Sequence, residues 1–197
     1  MLGRASRRIE GCVDFMGLPT TSTTPTSPPD VELRLVSDVR YLAGARELVS
    51  GVARRLGFSN DSSAHLALAV DEALCNVIRH GYDRSPGRPI WVRVWPLEDD
   101  GEHGPGVRIT IEDEAKQVDL ARIKGRDLDD VKPGGLGVHI IKQVVDAAEY
   151  AHREHGGMRL TLEKRVDGPS ARRTREIASG DEDANGSCPT QPEAKER

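Results

Sequence analysis

Between Val31 and Val166 the apolar positions recur with periods that predict regular elements, and the flanking stretches lack any such period. "VELRLV", residues 31–36, alternates apolar with polar positions, as a half-buried strand does. Leu42, Ala45, Val49, Val52 and Leu56 then follow helical spacing, with Ser37 or Asp38 as the cap and Gly57 as the stop. A second helix starts at Asn60 or Asp61, turns Leu66, Val70, Ala73 and Val77 inward and ends at Gly81. "PIWVRVWPL" is a strand with prolines near its ends, "GEHGPG" a turn, and "VRITIED" the next strand. The polar segment after it, about twenty residues, exceeds the usual connection and points to function. "GGLG" opens a third helix carrying Ile141, Val144, Val145 and Ala148, and "AEYAHRE", a Gly-Gly turn and "MRLTLEKRV" close the domain as a hairpin. Helices cluster early and the strands are mostly joined by hairpins. The pattern predicts an α+β two-layer sandwich, a mixed, mostly antiparallel sheet with about three helices on one face.

The flanks define the domain limits. "LPTTSTTPTSPPD" has almost nothing to bury, so residues 1–30 are expected to be disordered, with Met16 as a second candidate start. The charged tail, residues 167–197, is expected to be disordered as well, which leaves 31–166 as the folded unit. Of the 197 residues 37% are hydrophobic and the net charge is -4 with both signs interspersed, which gives no bulk basic character for nucleic acid. No run reaches the roughly 18 apolar residues of a membrane span, and the N-terminal arginines precede no apolar stretch that would make a secretory signal. Cys12, Cys75 and Cys188 are far apart and fit neither a disulfide framework nor a zinc site, so a cytoplasmic location is expected.

Three clusters carry chemistry. In "DEALCNVIRHGY" (71–82), Glu72, Asn76 and His80 are spaced four apart and share one stripe of the predicted helix. An amide oxygen beside a carboxylate suits a hard cation such as Mg, and a free carboxylate can accept a hydroxyl proton. Taken alone, this is also what a solvated polar stripe looks like, although asparagine is a poor mid-helix residue. In "IEDEAK", Asp113 stands at a strand end, where it can accept from an exocyclic amine or simply start a turn. In "KPGGLGVHII", three glycines precede or open a helix, so backbone N–H groups can approach a phosphate. Neither a Walker loop nor a Rossmann fingerprint is present.

The order of these clusters resembles the GHKL ATPase superfamily with its Bergerat nucleotide fold. "DEALCNVIRHGY" and "GGLGVHII" look like the bacterial anti-sigma-factor serine/threonine kinases, over essentially the whole of 31–166. The resemblance implies that Asn76 holds Mg against the phosphates of ATP and that Glu72 is the general base for a target serine. It implies that Asp113 recognises the adenine amino group, that Gly135 and Gly137 contact phosphate with Gly134 as neighbour, and that His80 has a supporting role. The segment from Asp113 to Gly134 would form a lid over ATP. The implied partners are an anti-anti-sigma (STAS-type) protein and a sigma factor or similar target, with no direct nucleic-acid or membrane role. Members of the family often form homodimers.

Two departures qualify this resemblance. The family box reads Asp-x-Gly-x-Gly, but here Ala115 and Gln117 take the glycine places. Ala115 is expected to crowd the base or to lose a positive-φ conformation at a cost on the order of 1 kcal/mol, about fivefold in affinity. Met158 stands where the wider superfamily offers a threonine near adenine. The alternative is therefore a non-catalytic regulatory module with weakened or lost nucleotide binding. A sensor histidine kinase would need a phospho-accepting histidine on the helix from Asp38 to Leu56, which has none. Topoisomerase- or chaperone-type ATPases would need further domains.

Overall fold

The structure, a computed structural model, describes residues 12–14, 27–120 and 136–166. Six strands form one sheet: β1 (Cys12–Asp14), β2 (Val31–Val36), β3 (Pro89–Leu97), β4 (Gly106–Asp113), β5 (Ala147–His152) and β6 (Met158–Arg165). Their spatial order is β1-β5-β6-β4-β3-β2, and each of the described ladders is antiparallel. The pairing of Cys12–Asp14 with Ala151–Glu149 lies inside the segment expected to have no regular structure. It is a three-residue strand whose partner lies far along the chain, so no local period reveals it.

Three helices among the described residues are α1 (Leu42–Arg55), α2 (Asn60–Asn76) and α3 (Leu136–Val144). Asp38 does cap, but it caps a short 3-10 turn, Val39–Tyr41, that leads into α1. The cap of α2 is Ser59, one residue before the expected start, whose hydroxyl accepts from the Ser62 N–H. Ala148 belongs to β5 and not to the third helix. The first helix ends as predicted, with Gly57 at φ 95°.

The core lies between the helices and one face of the sheet. Ile90, Val92 and Val94 of β3, Val107, Ile109 and Ile111 of β4 and Leu160 and Leu162 of β6 supply that face. Leu66, Val70, Ala73 and Leu74 of α2 press onto it, and α2 itself packs between α1 and α3. Its C-terminal part is thus held against the sheet below and α3 beside it, which fixes where its polar stripe can point. No helix among the described residues is long and apolar enough to cross a membrane.

Candidate functional site

The stripe on α2 meets the start of α3. Gly137, the second residue of α3, is buried and lies directly against the stripe. A side-chain carbon on it would lie 2.6 Å from Glu72 Oε2 and 3.5 Å from Asn76 Nδ2. With glycine here, the first turn of α3 lies beside the carboxylate and the amide without displacing either. Gly134 and Gly135 lie outside the described residues.

The register of the stripe changes after Asn76. Val77–Gly81 winds as a single π-helical turn, closed by the Tyr82 N–H on the Val77 carbonyl at 2.8 Å. The four-residue spacing that aligns Glu72 with Asn76 therefore stops there, and His80 is exposed on that turn. Such wide turns are frequent at functional sites, but their i→i+5 bond leaves no mark in the sequence.

Tyr82, which the sequence did not single out, fastens this end of α2 to the sheet. Its hydroxyl donates to the Pro89 carbonyl at 2.6 Å and accepts from the Glu114 N–H at 2.7 Å. The Ala115 methyl packs close to Gly81, where a side-chain carbon would stand 3.1 Å away. Asp113, at the end of β4, is thus tied to the end of the helix that carries Glu72 and Asn76.

Asp113 is buried, and its Oδ1 accepts two backbone N–H groups, from Ala115 at 2.8 Å and from Met158 at 3.1 Å. Burial pushes its carboxyl above the ordinary aspartate range, and the two N–H groups counteract this only in part. Its sequence neighbour Glu112 points to the opposite face of the sheet and is shifted the other way. Burial again raises it, but Arg93 at 2.8 Å and Arg159 at 2.5 Å outweigh that and hold it below the usual glutamate range. Arg153 adds a third guanidinium to Glu112 at 3.4 Å.

The expectation that Ala115 loses a positive-φ conformation is corrected by its backbone. Among the described residues the positive-φ positions outside glycine are Asp83 and Arg84, so Ala115 takes up no conformation reserved for glycine. It is 7% exposed and belongs to the hydrophobic core. Met158 meets Asp113 through its backbone N–H, for which its lack of a hydroxyl is irrelevant.

The described residues contain no group of three His, Cys, Asp or Glu side chains able to hold a metal by themselves. One amide and one carboxylate fit an ion of the Mg type, which keeps waters and takes further oxygens from a phosphate.

A helix N-terminus beside an acid and an amide, and a buried aspartate where the sheet ends, define a class. The chain belongs to the histidine kinase-like ATPase domain family, whose model matches residues 35–164. Among curated proteins it is similar to the serine-protein kinase RsbW of Halalkalibacterium halodurans, 29% identical over 164 residues, covering 75% of this chain and 95% of that protein. The RsbW of Bacillus subtilis is 26% identical over 147 residues, covering 70% and 86%. That of Oceanobacillus iheyensis is 29% identical over 124 residues, covering 59% and 75%. A solved blue-light activated histidine kinase from Erythrobacter litoralis EL346 superposes with a TM-score of 0.42 at 16% identity, covering 66% of this chain and 42% of that one.

Proposed function

We propose that this chain is an ATP-dependent protein serine/threonine kinase that acts as an anti-sigma-factor-type switch. The observation that carries this reading is the approach of Gly137, in the first turn of α3, to the side chains of Glu72 and Asn76. The curated relatives are named serine-protein kinases and are covered over most of their length, which supports the same reading.

In this reading ATP lies with its adenine at Asp113 and its phosphates at the start of α3. Asp113 accepts from the exocyclic amine. The N–H of Gly137, with those of Gly134 and Gly135 before it, donates to phosphate oxygens. Asn76 would hold a Mg ion, and its charge would offset that of the phosphates. The Glu72 carboxylate takes the proton from the target serine as its oxygen forms the bond to the γ-phosphorus and the bond to ADP breaks. Little covalent chemistry is asked of the protein, so positioning and charge supply most of the catalysis. The proposed substrate is a serine on a STAS-type anti-anti-sigma protein, and the proposed captive is a sigma factor or similar regulator.

The test is transfer of labelled γ-phosphate from ATP with Mg to STAS-type proteins from the same genome. The wild type should label a serine, and Glu72→Gln should bind ATP normally yet transfer at a rate lower by at least about a hundredfold. If the wild type binds ATP and labels none of them, the kinase reading gives way to a non-catalytic regulatory module. Retention of transfer by Glu72→Gln would remove Glu72 as the base.

A further inference from the structure

The segment after Asp113 is stitched to the turn between β5 and β6 by contacts that the proposed chemistry does not require. Gln117 Nε2 donates to two carbonyls of that turn, Arg153 at 2.8 Å and Gly157 at 3.3 Å. The turn is closed on itself by the Arg153 N–H on the Gly157 carbonyl at 3.1 Å and the Gly156 N–H on the Arg153 carbonyl at 3.3 Å. Arg153 reaches back to donate through Nη1 to the Asp113 carbonyl, and its guanidinium lies 5.1 Å from the centre of the Trp91 ring. His152 Nε2 bonds the Val118 carbonyl at 2.8 Å. Gly157 lies so close to the Asp113 carbonyl that any side chain there would overlap it.

Both acceptors offered to Gln117 are carbonyl oxygens, so only the NH2 end of its amide fits. Gln117 is otherwise exposed, and an exposed glutamine held on two acceptors has given up rotamer freedom. It does so beside Asp113, which with its neighbour Glu112 is buried at this end of the sheet.

We propose that Gln117 is a positioning residue for base recognition. It clamps the loop after β4 to the β5–β6 turn, so that Asp113 is aimed before the nucleotide arrives and less ordering is left to the binding step. The inference rests on the nucleotide reading above. It reverses the meaning of the departure at this position: a glycine here has no amide to bridge the two carbonyls, so restoring one loosens the shelf.

The test is titration calorimetry of the full chain with Mg·ATP and Mg·GTP, for the wild type, Gln117→Gly and the near-isosteric Gln117→Glu, which lacks the donor. Both variants should bind ATP about three- to tenfold more weakly, the effect of one or two lost hydrogen bonds. The ATP-over-GTP preference should narrow as well, because a looser Asp113 reads the amine less well. Melting curves should stay close to wild type. Tighter or unchanged ATP binding by Gln117→Gly overturns the clamp while leaving the nucleotide site in place. So does equal weakening of ATP and GTP, the signature of a merely structural contact. A wild type that binds neither nucleotide at millimolar concentration overturns the nucleotide reading and the clamp with it.

Discussion

The α-carbon of Gly137 stands against the carboxylate of Glu72, so closely that a methyl group there would lie 2.6 Å from Oε2. The obstructing atom is the far end of a flexible side chain, so the fold can accept the methyl while the carboxylate cannot keep its place. Gly137→Ala should therefore leave stability within about 1 kcal/mol, since alanine also favours the helix. Phosphoryl transfer should fall at least about tenfold, because displacement by an ångström is costly to positioned chemistry. Melting curves and transfer rates measured on the same preparation check both halves.

Gly156 and Gly157 offer a matched comparison at the β5–β6 turn. Both have positive φ, 91° and 86°. A side chain at Gly156 meets nothing within 4 Å, whereas one at Gly157 overlaps the Asp113 carbonyl. Gly156→Ala should cost about 1 kcal/mol, the strain of its φ alone. Gly157→Ala should cost roughly 2–4 kcal/mol, with overlap added to the same strain. Urea denaturation of the two variants measures the difference, and equal costs would show that the turn does not press on Asp113.

The neighbours Glu112 and Asp113 should respond to acid with opposite signs. The folded state holds the Asp113 proton more tightly than the unfolded chain does, so its ionised form costs stability, and that cost is relieved as pH falls from its raised value towards 3.8. Glu112 contributes stability above the unfolded value near 4.5 and loses it as pH falls through its lowered value. Asp113→Asn should thus be at least as stable as wild type at neutral pH, and Glu112→Gln less stable, because it removes the carboxylate that Arg93, Arg153 and Arg159 share. ATP affinity should follow Asp113 alone. It should decline on acidification at a higher pH than an ordinary aspartate would give, and Asp113→Asn should bind weakly with no such decline. Thermal melts and ATP titrations across the acid range separate these effects.

Much of this architecture is legible in the chain because its elements are local. The alternation in "VELRLV" and "PIWVRVWPL" matches β2 and β3, and the helical period from Leu66 to Ala73 matches the buried face of α2. What the sequence hides depends on partners distant along the chain or on backbone geometry. β1 exists through pairing with β5. The π-helical turn Val77–Gly81, on which His80 is exposed, differs from an α-helix in its hydrogen bonding, not in any residue pattern. Gln117 looks like a missing glycine until the turn from Arg153 to Gly157 is placed beside it. That the Ala115 methyl packs beside Gly81 is likewise a contact between positions far apart in the chain. Tyr82 carried one visible signal, an aromatic hydroxyl directly after a helix-ending glycine, and buried tyrosines usually find a partner for that hydroxyl.

The central claim is that Asn76, Asp113 and Gly137 border one nucleotide site. Calorimetric titration of Mg·ATP into the full chain, beside Asn76→Ala and Asp113→Ala, tests it most directly. The account predicts one ATP per chain for the wild type at submillimolar affinity. It predicts weakening by at least about tenfold in each variant, the loss expected when a charge-assisted contact is removed. Wild-type protein that takes up no ATP at millimolar concentration, or variants that bind it as well as wild type, would contradict the claim.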